Sequence, residues 1–506
     1  MADVRDKEDR DHRLDKPPLD FNMIRVGNQK LQNDVIAILQ DGIAACGMKK
    51  PFKQVDVYRA INSHDLEELR RMSNIFFEKS GIYGRLCRYM AYLYRYDWMI
   101  TPIRYDDNVK DEKVIEGWYK ASTRLENCHL KKEFGEIALK VVKNGCYYGL
   151  MVEQKDAVYL QELPVNYCRN RYELNGLPAV EFNMKFFDDN FRDAAYRLRV
   201  LKLFPKEIQK AYIAYKNGTL PRDFGGDTAG WFLLDPKKTV KFNISSTDMP
   251  LFISVIPAIL DLEDAQDLDK KKMAQQILRV IVQKIPLDKN FDLVFDMSEA
   301  QQMHANAVNM VGQAVGVDVL TTFADVDCID LSDNGNVSSV DQLDKVERTV
   351  YNEAGVSQMQ FNTSGNLALE KSIANDEATM WDLVLQFEQY IERVIEPFNK
   401  NKKRLVYRAA MLPTTVYNYQ ELSKLYKEQT MIGFSKLMPQ IALGLSQSEI
   451  IATAIFENEI LHLDEVFVAP QMSSTISADE AEAGRPEKSD DQKSEETVRH
   501  IEEGSQ

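Results

Sequence analysis

The stretch Ala354–Ala368, AGVSQMQFNTSGNLA, is the join on which the organisation of this chain turns. Before it runs VSSVDQLDKVERTVYNE, residues 337–353, and after it LEKSIANDEATMWDLVLQFEQYIERVIEPF, residues 369–398; both are patterned as helices. The join holds Gly355 and Gly365, an apolar Met359 and Phe361, and the uncharged polar residues Asn362, Thr363, Ser364 and Asn366. Helix–helix connections in compact domains usually take about 2–8 residues. This one is longer, and nothing in its pattern would bury its Met and Phe.

Downstream, Asn366 to about Lys400 predicts the longest helix of the chain, about 50 Å at 1.5 Å per residue. Ile373, Met380, Val384, Phe387, Ile391, Val394 and Phe398 form its main packing stripe, and Trp381, Leu383, Tyr390 and Ile395 give it a second apolar side. It should therefore lie between two layers. Upstream, the helix Val337–Glu353 returns from a small α/β insert. The insert has strand-like RVIVQKIP, FDLVFDM, VDVLTTF and DCIDL and a helix, SEAQQMHANAVNMVGQAVG, with Ser298 as cap. Leading into the insert, Ser254–Arg279 reads as one helix of about 35–40 Å, with Pro257 in its first turn.

The first 250 residues mix helix and strand patterns. Asp56–Glu78 and YGRLCRYMAYLYRYDWMI read as helices, the second as a core helix with tyrosine rims. Leu130–Asn144 is a helix stopped by Gly145. CYYGLMVEQKDAVYLQELP alternates like a hairpin turning near Lys155-Asp156, and Asn175-Gly176 marks a second hairpin. Helices follow at Asn190–Leu203 and Lys206–Asn217, the latter behind Pro205, then a glycine-rich RDFGGDTAG and a strand-like WFLLDPKKTVKFNI. After the long helix come a strand in KRLVYRAAMLP, a helical Asn418–Leu445 broken at Gly433 and Pro439, and a short helix capped by Ser446-Gln-Ser-Glu through Leu463.

The totals constrain function. The chain has 506 residues, 44% hydrophobic and 28% charged. No apolar run approaches the roughly 18 residues of a membrane span, and the charge-dense MADVRDKEDRDHRLDKPPLD has no apolar core of a secretory signal. The net charge is −15, and residues 471–506 contribute ten acidic against four basic groups. Such a balance argues against tight phosphate binding over a broad surface. Cys46, Cys87, Cys128, Cys146, Cys168 and Cys328 are scattered single thiols, expected reduced, and the six histidines show no metal-ligand spacing.

No nucleotide-binding, nucleophile-elbow or zinc-protease motif occurs. Asp330, Ser332, Asn334, Ser338 and Asp341 follow the spacing of a calcium loop with Gly335 at the turn, but an Asp stands where a bidentate Glu belongs and a strand precedes it. A tight turn with a hydroxyl cap accounts for the same residues, so no metal or other cofactor is expected. Lys270, Lys271 and Lys272 form a compact basic cluster on the first long helix, among Asp261, Glu263, Asp264, Asp267 and Asp269. No catalytic constellation is found, and the expectation is a protein that is not an enzyme.

The order of parts resembles the portal proteins of tailed bacteriophages. The resemblance rests on SVIPAILDLEDAQDLDKKKMAQQILR, on VDQLDKVERTVYNEAGVSQMQFNTSGNLALEKSIANDEATMW and on YMAYLYRYDWMITPI. It covers residues 55–465 by layout and size rather than by a diagnostic motif. It implies an α+β, portal-like fold: an N-terminal arm (1–54), an α+β wing (55–253), a first stem helix (254–279), a small α/β clip (280–336) and a second stem helix (337–354). A tunnel loop (355–366), a long wing helix with a strand (367–415), a helical crown (416–469) and a disordered acidic tail (470–506) complete it.

The resemblance further implies a homo-oligomeric ring, usually of twelve subunits, at one capsid vertex of the virion, assembled in the host cytoplasm. Double-stranded DNA would be pumped through its channel by the terminase large subunit and later ejected. Head–tail adaptor, capsid and scaffolding proteins would be further partners, and no membrane is involved. Gln358, Met359, Gln360, Phe361, Asn362, Thr363 and Ser364 would face the DNA, and Lys270–Lys272 would form a basic ring on the channel wall. Two other classes stay in view. A virion scaffold or assembly factor should show sustained heptads. A metal-dependent nucleic-acid enzyme should show acidic residues converging at strand ends.

Overall fold

The computed structural model describes residues 52–154, 157–220, 229–277, 279–284, 317–322, 339–356, 367–399 and 403–463. The chain divides into two compact units, Met1–Leu445 and Ser446–Gln506. The larger is α+β, with small, mostly antiparallel sheets among helices.

It opens on α1 (Gln54–Ser63), α2 (Leu66–Lys79) and α3 (Gly81–Ala91). The single helix expected over Asp56–Glu78 is two. His64 takes a left-handed conformation, φ 55°, and Asp65 caps α2 by accepting the Glu68 N–H at 3.2 Å. Asp65-x-x-Glu68 is a helix-start signature in the sequence itself. The helix expected through YGRLCRYMAYLYRYDWMI also ends early, at Ala91, and its last residues become β1 (Trp98–Arg104). The cause is tertiary. Tyr96 turns left-handed at φ 56°, and β1 pairs antiparallel with β10 (Leu405–Met411), some 300 residues away in the chain. Next is α4 (Asp111–Glu126), which has no counterpart among the sequence expectations and packs on β1 and β10, its Trp118 indole N–H donating to the Ile100 carbonyl at 3.1 Å.

Helix α5 (Leu130–Asn144) ends at Gly145 as expected, with φ 82°. A Cβ there would collide with the backbone of Asp248 and Met249, so position 145 requires glycine both for its angle and for its neighbours. The expected hairpins both form. β2 (Cys146–Glu153) pairs antiparallel with β3 (Val158–Leu163), and β4 (Cys168–Leu174) with β5 (Leu177–Asn183) through Asn175 and Gly176, both at positive φ as a type I′ turn demands. The Lys155-Asp156 turn lies outside the described residues. A short α6 (Lys185–Asn190), then α7 (Ala194–Lys202) and α8 (Lys206–Lys216), pack their apolar sides on β4 and β5. WFLLDPKKTVKFNI supplies strands to two sheets: β6 (Trp231–Leu233) joins β5, and β7 (Thr239–Asn243) joins β2.

After a 3-10 turn at Ile253–Val255 comes α9 (Ile256–Ile277), then β8 (Arg279–Lys284), which pairs in parallel with β9 (Val317–Thr322). α10 (Ser339–Ala354) packs along α9 and returns to its start. α11 (Leu367–Ile395) follows, as the apolar pattern required. Met380, Leu383, Val384, Phe387, Tyr390, Ile391, Val394 and Ile395 are all buried, so both apolar sides are covered. β10 is succeeded by α12 (Tyr419–Met431) and a short α13 (Met438–Ala442) in the larger unit. In the smaller unit α14 (Gln447–Ile455) starts with the expected capping box, Ser446 against Glu449, and runs into a π-type turn at Phe456–Ile460. Among the described residues, no helix is long and apolar enough to cross a membrane.

Candidate functional site

The helix pair α9 and α10 is built to leave the core. In α9, Ile256, Ala258, Ile259, Leu260 and Leu262 are buried, whereas Asp261, Glu263, Asp264 and Asp267 are exposed and Leu268 stands 55% exposed. In α10 the same gradient runs in reverse. Among the described side chains of this helix, Lys345, Arg348 and Thr349 are exposed, and Val350 and Tyr351 in the last turn are buried. Apolar burial therefore anchors the base of the pair, and the described turns next to it, 261–268 and 345–349, carry exposed charge. The base is also tied laterally, since Gln54 donates to the Pro257 carbonyl at 3.3 Å and to the Asp261 carboxylate.

The segment from Ala354 begins at this base, and its start is defined. Gly355 has φ 68°; its N–H donates to the Asn352 carbonyl at 3.1 Å, and the Val356 N–H to that of Tyr351 at 3.2 Å. Those two bonds are the Schellman closure of a helix, and its usual apolar contact has its two residues in place, with Val356 and Tyr351 both buried. The glycine is there for its backbone angle, because nothing lies within 4 Å of a Cβ built on it. The chain thus leaves α10 at a fixed point and in a fixed direction.

On the far side, α11 is held rigidly. Tyr89 donates to the buried Asp376 carboxylate at 2.9 Å, Tyr94 to the Glu377 carbonyl at 3.0 Å, and Thr415 to the Glu377 carboxylate at 2.8 Å. Further along, Gln386 accepts the Asn243 N–H at 3.1 Å and donates to the Asn243 carbonyl at 2.8 Å, while Arg393 donates to the Thr239 carbonyl at 2.8 Å. Two side chains of α11 so satisfy backbone groups at both ends of β7. Burial lowers the pKa of Arg393 from its ordinary value. The ring of Phe387 stacks on Phe134 at 4.3 Å and meets Tyr96 and Phe242 edge-on at 5.6 and 5.0 Å.

Buried charge serves the scaffold as well. Asp97, fully buried, accepts from Lys131 at 2.6 Å and Thr414 at 2.8 Å, with the Arg95 guanidinium at 3.6 Å. Arg95 and Lys131 also donate to the carbonyls of Ala442, Leu443 and Gly444, which fixes α13 to the core. Fully buried Glu181 accepts from Arg169 at 2.6 Å and Arg171 at 3.2 Å. Burial pushes the Cys87 thiol up to about 12 and Cys146 to about 11, so neither is a nucleophile at neutral pH. Among the described residues no group of three or more His, Cys, Asp or Glu is placed to hold a metal ion.

The sequence-derived site residues divide by location. Gln358, Met359, Gln360, Phe361, Asn362, Thr363 and Ser364 lie outside the described residues, as do Asp330, Ser332 and Asn334 of the calcium-loop pattern. Lys270, Lys271 and Lys272 lie on α9, beyond the buried base, and Asp341 in the first turn of α10. Sequence reasoning missed Gly355 as a Schellman glycine, although Tyr351 and Val356 at the matching positions are the available signal. It also missed the reach of Gln386 and Arg393 to β7, for which there is no local signal. No protein-family model matches the chain, and neither does any curated protein.

Proposed function

We propose that the chain is the repeating subunit of a portal-type ring, a channel at a capsid vertex through which double-stranded DNA is packaged by a terminase motor and later ejected. The observation that carries this is the α9/α10 pair. It is buried at its base, carries exposed charge in the adjoining turns at 261–267 and 345–348, and has the parallel strands β8 and β9 between its two helices in the chain. Copies of the same chain arranged about an axis would cover this helix pair, Leu268 included. On this proposal α9 and α10 are the stem and the insert carrying β8 and β9 is the clip, docking first the motor and then head–tail adaptors. α11 is the wing helix, and residues 358–364 are the loop that touches moving DNA.

The acidic balance, −15 for the chain, suits a channel that must not grip phosphate. The Schellman closure at Gly355 would give the loop one rigid post, and α11, pinned from Asp376 and Glu377 onward, the other. Electron microscopy and mass photometry of the purified full chain test the proposal. Rings with a central hole are expected, and twelve copies of a 58.2 kDa chain make about 700 kDa. A monomer or dimer at micromolar concentration overturns it. Removing residues 358–364 should leave ring assembly intact and impair DNA packaging or retention; normal packaging by that variant would show that the loop has been misassigned.

A further inference from the structure

The chain is acidic overall, yet residues 185–216 carry eight basic and four acidic side chains, a net of +4 that leaves −19 for the rest. Three of the four acids are committed, and the fourth, Glu207, lies in the first turn of α8. Asp188 is held by Lys216 at 2.7 Å, Arg197 at 3.0 Å and Tyr212 at 2.7 Å; Asp189 accepts from Tyr167 at 3.3 Å; and Asp193 caps α7 through the N–H groups of Ala195 and Tyr196. Six of the eight cations are not. Lys185, Arg192, Arg199, Lys202, Lys206 and Lys210 are all exposed, and among the described residues none has a carboxylate within 4.0 Å.

Helical spacing collects these cations. On α7, residues 195, 198, 199 and 202 share one side, which presents Leu198, Arg199 and Lys202; on α8, residues 206, 210 and 213 present Lys206, Lys210 and Ile213. The opposite sides, Val200 and Leu201 on α7 and Ile208, Ala211 and Tyr212 on α8, are buried in the core with β4 and β5. Each outward stripe therefore combines two unpaired cations with one aliphatic side chain. Leu198 is 54% and Ile213 56% exposed.

We infer that α7 and α8 form a docking surface for an acidic amphipathic polypeptide segment of another protein. Charge complementarity demands an anion, and the aliphatic residue within each stripe selects its kind. A nucleic-acid backbone would use the cations and leave Leu198 and Ile213 in water. A segment bearing carboxylates beside leucine-type side chains would use both, gaining specificity from the charges and affinity from the apolar burial. This inference is independent of the ring proposal, since it rests on side chains of the single chain.

The test measures binding of the full chain to three labelled probes by fluorescence anisotropy: a Leu/Glu amphipathic helical peptide, polyglutamate of the same charge, and a short DNA duplex. The Leu/Glu peptide should bind at least about tenfold more tightly than polyglutamate, the worth of burying roughly one aliphatic side chain. Its affinity should also fall as salt rises. The variant Arg199→Glu/Lys202→Glu/Lys206→Glu/Lys210→Glu should lose binding to both acidic probes. Leu198→Ser/Ile213→Ser should lose only the preference between them. All six positions are exposed, and circular dichroism checks that the fold is retained. Equal affinity for peptide and polyglutamate, peptide binding that survives charge reversal or does not weaken with salt, or a duplex that binds more tightly than the peptide each overturns the inference.

Discussion

The contact between Phe134 and Phe387 can be measured directly. Both rings are fully buried and stack at 4.3 Å with their planes 3° apart, joining α5 to α11. Replacing either by Leu keeps most of the volume and should cost about 1–2 kcal/mol, below the 3–5 of a Phe-to-Ala truncation. The double variant Phe134→Leu/Phe387→Leu should cost less than the sum of the two. A stacked aromatic pair is worth about 0.5–1.5 kcal/mol beyond its buried area, and it is already lost in each single variant. Urea titrations followed by tryptophan fluorescence report on this core, because Trp381 lies on α11 with its ring 5.7 Å from that of Tyr94. Slopes should stay constant across the set while midpoints move. Additivity within about 0.3 kcal/mol would mean that the two rings do not meet as described, and the account of α11 as held between two layers would fail with it.

Three further outcomes are expected. Gly145→Ala should be severely destabilising, because the new Cβ meets the Asp248 carbonyl, whereas Gly355→Ala should cost only the left-handed backbone term of about 1–2 kcal/mol; equal melting shifts would contradict this. Asp97→Asn should destabilise by about 2 kcal/mol, less than a fully buried pair because Lys131 is partly exposed, and limited proteolysis should then cut first around 437–444. Burial raises the pKa of Tyr83, Tyr94, Tyr96 and Tyr148 above 10.0, so their contribution to stability is complete below pH 10 and is lost as pH rises past it; tyrosinate absorbance should rise in two phases, the exposed tyrosines such as Tyr58 and Tyr105 first and these four only together with unfolding.

Local signals carried far in this chain. Asn175-Gly176 specified its hairpin, Gly145 ended its helix, Ser446 with Glu449 started another, and the two apolar sides of α11 announced burial between layers. Non-local pairing was not legible. Nothing in WMITPIR reveals that its partner is LVYRAAM, so a helix pattern prevailed where a strand forms. The break at His64-Asp65 was legible and was overridden by helical periodicity on both sides of it. At the candidate site, the ends of the loop can be read from Gly355 and from the anchors of α11, while residues 358–364 fall outside the described residues. The basic surface of α7 and α8 went unread because net charge was taken over the whole chain rather than over one helix pair.

The bonds from Gln386 and Arg393 to β7 carry a consequence for synthesis. Without them the outer edge of β7 presents unpaired backbone groups, a template for another strand. Gln386 is 143 residues later in the chain than Asn243. At about 5–20 residues per second, the ribosome leaves that edge open for about 7–30 s on every nascent chain. During that interval the outer edge of β7 has no cover of its own, and crowded polysomes making this protein are where its strands would mispair.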